Sequence, residues 1–255
     1  MLTGVLIIAV AGLLALLSHR RSRLENKIYK HVPLTEWLAI SIFPVMLYLG
    51  WFFIVKNIIG RPRISLLPFE DFDILAITLL FTIYGFVGNA LHFTGKILWR
   101  YLRENRHSMA FKVNEMFHGR LSHYLVYLNM LFIGFFLPIL EINHPAVLPV
   151  TSTYLFLILL AGTVFGVSGI KAIFYTNEWF GGYNKPLFFI IALFLAVLLG
   201  LIKSFDLRFS LYPISLFIVS IFSSAVVTFL MRQFFIFAHL NDRRRLRFLA
   251  KILSA

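Results

Sequence analysis

The chain has 255 residues, of which 60% are hydrophobic, and it contains no cysteine. This apolar share is far above that of ordinary soluble domains, so folding within a membrane is predicted. The absence of cysteine excludes disulfides, thiolate metal sites and a cysteine nucleophile. The polar stretches between the apolar runs are too short to bury a core of their own, so any site must lie in or beside the membrane.

Seven apolar runs predict an all-α, polytopic membrane protein. Their approximate limits are 2–17, 36–56, 74–98, 121–142, 152–172, 186–203 and 210–236. Most reach the roughly 20 residues that a helix needs to cross a bilayer, and the first is the shortest. Basic residues follow the first run rather than precede it, which indicates a retained anchor and not a signal peptide. We therefore expect a bundle of seven transmembrane helices over 1–240 and a separate tail over 241–255.

The distribution of charge predicts the orientation of this bundle. Alternating the loops from an external N-terminus leaves five of the 24 Lys and Arg residues outside, namely Lys56, Arg61, Arg63, Lys203 and Arg208. The other 19 (24 minus 5) fall inside, as expected because basic residues accumulate in cytoplasmic loops. The sequence thus predicts an external N-terminus, a cytoplasmic C-terminus and a location in the cell (inner) membrane.

Two polar segments predict amphipathic helices on the inner membrane surface. In the first, apolar residues recur at helical spacing among basic ones: Leu98, Leu102, Met109, Val113, Met116 and Phe117. The second is the tail, with Asn241 as its N-cap and a basic set expected to contact lipid: Arg243, Arg244, Arg245, Arg247 and Lys251. Both would bind anionic headgroups. The alternative is that these segments are solvated charge runs that only set the orientation.

Pairs of glycines predict places where helices pack closely. Gly162 and Gly166, followed by Gly169, lie in the fifth run, and Gly85 and Gly88 lie in the third. Small residues spaced in this way let a neighbouring backbone approach, so we interpret both sets as packing seams.

The third and fourth runs carry two polar stripes. On one helix Gly85, Asn89, His92 and Lys96 share a face, and on the next Glu115, His118, Ser122, Val126 and Asn129 do so. Ionisable groups within a membrane are costly, so the stripes should point into the bundle. If the helices end near residues 98 and 121, Asn89 and Asn129 lie at similar depths, roughly 13 and 12 Å, and could meet.

Three hypotheses about these stripes remain open. The first is that the polar side chains, including His118 and His123 at the headgroup layer, only join helices. The second is a proton or ion pathway. The third is a metal or haem site built from His92, His118 and His123, with Glu115 as general base. On a regular α-helix His118 and His123 point about 140° apart, which argues against the third hypothesis.

No motif identifies a family. Gly166-Val-Ser-Gly169 resembles the serine motif of rhomboid proteases, but the later spans, 186–203 and 210–236, lack the histidine that such a protease needs. Neither a P-loop nor a dinucleotide-binding fingerprint is present. The sequence therefore favours a non-enzymatic protein, either a small transporter or channel or the membrane subunit of a larger complex.

The alternative is a membrane-embedded enzyme that holds a metal or haem through its inner-leaflet histidines. In either case the expected partners are the lipid bilayer, anionic headgroups on the inner face, and other proteins or further copies of the chain. Nucleic acid is not expected, because membrane topology accounts for most of the net charge of +13.

Overall fold

The structure is a computed structural model that describes residues 1–19, 27–30, 32–173, 184–242 and 244–246. It is almost entirely helical. The strands are two short segments, β1 (Ile28–Tyr29) and β2 (Val32–Pro33), which form an antiparallel pair.

The described part of the chain forms helices of very different lengths. In chain order they are α1 (Leu2–His19), α2 (Leu34–Ile59), α3 (Asp71–Leu102), α4 (Met109–Glu115), α5 (Ser122–Ile142), α6 (Ser152–Ile173), α7 (Asn184–Ser204) and α8 (Pro213–Ala238). A 3₁₀ turn, Arg103–Asn105, follows α3, and a π-helical segment, Met116–Leu121, joins α4 to α5.

Six of the described helical stretches are long and apolar enough to cross a membrane. They match the second to seventh apolar runs, so the prediction of a helical membrane protein is confirmed. The first run also forms a helix, but the apolar part of α1, Leu2–Ser18, is shorter. A count of seven spans and the orientation therefore stay predictions.

The outer surfaces of these helices are apolar. Only 22% to 44% of the most apolar stretch of each candidate span is buried inside the protein. The exposed side chains include large ones such as Phe156, Phe189 and Phe234. Burial of such faces against hydrocarbon is favourable, so their chemistry indicates a membrane location.

Glycines set the closest contacts between helices. A Cβ at Gly4 would lie 2.5 Å from the Gly50 carbonyl oxygen, so α1 packs directly on α2. Gly162 and Gly166 of α6 face the backbone of α8. The predicted seam in α6 is thus confirmed for these two glycines. At Gly169, by contrast, a Cβ would meet no atom of the described residues within 4 Å apart from the local backbone of its own helix.

The hairpin of α3 and α5 has a different shape from the one expected. The apolar spacing from Leu98 to Phe117 predicts one continuous helix, and this is wrong, whereas its position on the membrane surface stays a prediction. Helix α3 continues to Leu102, the chain turns at Ser108, and α4 runs back against α3. Ser108 caps the new helix by accepting a hydrogen bond from the Phe111 amide at 3.2 Å, which explains why the helix restarts there.

Candidate functional site

Three residues of the predicted stripe on α3 contact α2. Nδ2 of Asn89 donates a hydrogen bond to the Ala39 carbonyl oxygen at 3.4 Å. One turn further, Nε2 of His92 lies 3.8 Å from a carboxylate oxygen of Glu36, and Nζ of Lys96 lies 3.8 Å from the other oxygen. These contacts join the beginning of α2 to the later part of α3.

Glu36 is a site residue that the sequence reasoning missed. It lies in the first turn of α2, where an acidic side chain is usually explained by the helix dipole. Its side chain is only 13% exposed, although it is a carboxylate. The sequence contained one indication, which is that Glu36 is the only acidic residue in α2. The residues around Glu36 did not indicate that α3 would supply its partners.

Three histidines form a cluster beside this carboxylate, which we name the histidine cluster: His92, His118 and His123. The ring centroid of His92 lies 4.8 Å from that of His118 and 4.8 Å from that of His123. The His118 and His123 centroids are 6.1 Å apart. The structure therefore brings all three predicted histidines together.

The π-helical segment Met116–Leu121 explains why His118 and His123 can share one side of the helix. Its hydrogen bonds join residues five apart, so the helix is wound less tightly there than an α-helix, and the angle between residues at that spacing is smaller. The predicted angle of 140° assumes a regular α-helix, and this segment is not one, so the angle is no argument against a shared site. A π-helical turn has no simple sequence signature, which is why the spacing argument failed.

Contacts with backbone position two of the histidines. Nδ1 of His123 donates to the Gly119 carbonyl oxygen at 2.8 Å, and the ring stacks on Tyr127. His118 packs against Gly95, where a Cβ would lie 2.5 Å from the His118 Cβ. Nε2 of His118 is buried and has no hydrogen-bond partner among the described residues. A buried polar nitrogen without a partner is costly, so this atom is a candidate binding position.

The remaining stripe residues on the second helix hold the hairpin together. Ser122 is fully buried and donates to the His118 carbonyl oxygen. Asn129 packs against Gly85, and its Oδ1 is buried with no hydrogen-bond partner in the described part of the chain. Asn89 thus contacts α2, whereas Asn129 contacts α3 at Gly85.

Two further residues near the π-helical segment complete the site. Asn114, which was not a predicted site residue, is buried and donates to the Gly95 carbonyl oxygen at 2.9 Å. The Glu115 carboxylate lies beside Gly119, and no ion pair joins it to a histidine within the described ranges. Its suggested role as a general base stays a prediction.

A metal ion needs several ligands that converge on one point. Among the described residues, no group of three His, Asp or Glu side chains is arranged to hold one. The histidine cluster thus brings imidazoles together without presenting a ready-made coordination geometry.

The beginning of the basic tail is described. The Arg244 amide donates to Oδ1 of Asn241 at 3.1 Å, as expected for an N-cap. Arg245 donates to the Ala238 carbonyl oxygen and pairs with Asp242. The other predicted lipid contacts lie outside the residues whose side chains are described, so lipid binding by the tail stays a prediction; they are Arg243, Arg247 and Lys251.

A second polar network, which we name the Glu141 network, lies at the opposite ends of the same helices. Glu141 is fully buried and accepts a hydrogen bond from Arg61 at 3.0 Å. Its two oxygens also accept from the Ile214 and Ser215 amides and from the Ser215 hydroxyl. The carboxylate therefore caps the N-terminus of α8, where a negative charge is favourable.

The residues that follow α5 extend this network. Asn143 accepts from the Leu67 amide at 2.6 Å and donates to the Leu67 carbonyl oxygen. The His144 ring lies 2.9 Å from Asp71 on one side and 3.0 Å from the Arg61 carbonyl oxygen on the other. Because every bonding group named here has a partner, we assign this end of the bundle a structural role.

The Glu141 network also affects a neighbouring tyrosine. Burial and the Glu141 charge together raise the pKa of Tyr212, whose side chain lies just before α8. The sequence analysis did not pair Glu141 with Arg61, because 80 residues separate the two.

Two surface grooves flank α1. Their lining side chains, including Leu6, Val10 and Leu157, are almost all apolar, and none of them is titratable. These grooves resemble lipid-facing surface and do not provide a chemical site.

No family model, curated protein or solved structure matches the chain. Its function is therefore inferred from its own residues.

Proposed function

We propose that this multi-pass membrane protein is a small transporter or channel that moves protons, and that the histidine cluster binds them. The observation that carries the proposal is the contact among His92, His118 and His123 beside the Glu36 carboxylate. Imidazole is the side chain whose charge changes most readily near neutral pH, and ionisable groups inside a membrane are functional candidates by default.

The spacing of the rings supports reversible proton binding. Two unit charges about 5 Å apart repel by about 3 kcal/mol at an effective dielectric constant of 20. Full protonation of the cluster is therefore unfavourable, whereas a single proton can be shared among the rings. Glu36 offsets part of the added charge, and Lys96 opposes it from the same side.

A polar stripe along α3 supplies a route to and from the cluster. Its members follow one another at offsets of four, three, four, three and four residues: Thr78, Thr82, Gly85, Asn89, His92 and Lys96. This spacing keeps them on one face of the helix. The oxygen atoms of Thr82 and Asn129 can accept hydrogen bonds from water molecules that carry protons along that face.

A second candidate function is a membrane-embedded enzyme that binds a metal or haem through the same histidines. Its support is the π-helical turn, which brings His118 and His123 to one side of the helix. Metal analysis and a visible absorption spectrum of the purified protein would distinguish it, since stoichiometric metal or a Soret band is expected only for the enzyme.

The proposal is tested by reconstitution into lipid vesicles that enclose a pH-sensitive dye. A potassium diffusion potential should drive proton uptake faster than in empty vesicles. Replacing His92, His118 and His123 together by Gln should lower the rate at least tenfold. The matched control replaces the exposed His107 and His239 by Gln and should keep the wild-type rate. Wild-type flux equal to that of empty vesicles, or full flux in the triple variant, would contradict the proposal.

Placement in the cell (inner) membrane with a cytoplasmic C-terminus is part of the proposal, and it is supported by the charge distribution. An assembly with other proteins or with further copies of the chain is a separate expectation. It would be seen as a co-purifying partner or as a molecular mass above that of one chain.

A further inference from the structure

The end of the α3 and α5 hairpin projects beyond its neighbours. Helix α3 has 32 residues and is therefore about 48 Å long, well above the roughly 30 Å of a bilayer's hydrocarbon core. The ion pair between Glu36 and Lys96 places the beginning of α2 beside Lys96. From that level α3 continues to Leu102, about 9 Å further.

The other end of α3 does not account for this extra length. Asp71, at the beginning of α3, contacts His144, which lies just past α5. Arg61, just past α2, contacts Glu141 of α5. The helices thus end at a common level in the Glu141 network, so the extra length of α3 lies at the far end of the hairpin. We name that end, residues 98–113, the hairpin tip.

The hairpin tip carries an excess of positive charge on its surface. Arg103, Arg106 and Lys112 are exposed. Glu104 is the one acidic residue between positions 98 and 113, so it offsets only part of this charge. A surface of this kind attracts anions.

Apolar and aromatic side chains are exposed beside these cations. Tyr101 is 68% exposed and Met109 is 76% exposed. The Arg103 guanidinium lies 6.0 Å from the centre of the Trp99 ring. Cations interspersed with aromatic and apolar groups are typical of segments that bind at the headgroup layer.

We propose that the hairpin tip is a docking surface for anionic phospholipid headgroups. The net positive charge of the tip argues for an anionic occupant, and the length of α3 places the tip at the depth of the headgroups. Arg103, Arg106 and Lys112 contact the phosphates, while Tyr101 and Met109 enter the region between headgroups and acyl chains. This surface is separate from the histidine cluster, and its existence does not depend on proton transport.

The test uses the full chain in detergent, titrated with phosphatidylglycerol or phosphatidylcholine while its thermal unfolding is followed. Phosphatidylglycerol should raise the unfolding temperature, and phosphatidylcholine and inorganic phosphate should not. In the triple variant Arg103→Gln, Arg106→Gln, Lys112→Gln the phosphatidylglycerol concentration needed for half of the effect should rise tenfold or more, since each cation near a surface contributes to binding.

A matched control separates the hairpin tip from net charge. Lys56, Lys203 and Arg208 are exposed, and replacing them by Gln removes the same number of positive charges elsewhere. This control should respond to phosphatidylglycerol as the wild type does. The proposal would be overturned if phosphatidylglycerol stabilised the wild type and the tip variant equally. It would also be overturned if the tip and control variants lost the same part of this stabilisation. Direct counting of bound lipids by native mass spectrometry gives the same comparison if the tip variant unfolds before it can be titrated.

Discussion

Arg61 and Glu141 form an ion pair of 3.0 Å in which the side chains are only 8% and 0% exposed. Arg61 also donates to the His144 carbonyl oxygen and to Oδ1 of Asn57, so its charge is distributed over several acceptors. Glu141 in turn accepts hydrogen bonds from the Ile214 and Ser215 backbone amides at the beginning of α8. The pair therefore joins the ends of α2, α5 and α8.

Removing one partner of this pair should destabilise the protein strongly. Glu141→Ala leaves the Arg61 charge buried without its partner and leaves the first amides of α8 uncapped. The free energy of unfolding should therefore fall by about 3–5 kcal/mol. The measurement is equilibrium unfolding in detergent, followed by circular dichroism. Glu104→Ala, at an exposed position of the hairpin tip, is the control and should change stability by about 0.5 kcal/mol or less. A loss below about 1 kcal/mol for Glu141→Ala would show that the pair is not important for stability.

Close packing at Gly95 should be necessary for the histidine cluster. Gly95→Ala places a methyl group against the Cβ of His118, so it should cost about 1–3 kcal/mol and displace that ring. Gly200→Ala in α7 is the matched control, because among the described residues only the local backbone of its own helix would lie within 4 Å of a Cβ there. The control should be neutral or stabilising, since alanine favours helices over glycine. Thermal unfolding compares the two variants, and equal effects would contradict close packing between Gly95 and His118.

The raised pKa of Tyr212 predicts how stability changes at high pH. A phenol with a higher pKa in the folded state stays protonated there while the unfolded chain ionises. The contribution of Tyr212 to the free energy of unfolding is therefore complete below the ordinary tyrosine pKa of about 10. It is lost as the pH rises through the pKa of Tyr212 in the folded state. The stability of Tyr212→Phe should fall less steeply than that of the wild type above about pH 10.

The measurement is the free energy of unfolding at a series of pH values. Identical curves for wild type and Tyr212→Phe would show that Tyr212 does not contribute to this pH dependence.

The helical architecture was largely predictable because it depends on composition along the chain. Apolar runs predicted the six long helices, and the small residues Gly162 and Gly166 predicted the contact between α6 and α8. These features follow from local periodicity and residue size, which a single sequence contains directly.

The site was predictable in part. The spacing of His92 and Lys96 placed them on one face, but their partner Glu36 comes from another helix, and a single sequence does not contain such pairings. The π-helical turn between His118 and His123 changes the angle between them, and no residue pattern predicted it. The Glu141 network was missed for the same reason as Glu36, because its members come from distant parts of the chain.

The most direct test of the proposed function is the initial rate of proton uptake by vesicles that contain His118→Gln. Nε2 of His118 is buried without a hydrogen-bond partner among the residues that the structure describes, and the ring lies beside that of His92. The comparison is His107→Gln, at the exposed hairpin tip, reconstituted at the same protein density. We expect the His118 variant to take up protons at least fivefold more slowly than the His107 variant, whereas equal rates would contradict proton binding by the histidine cluster.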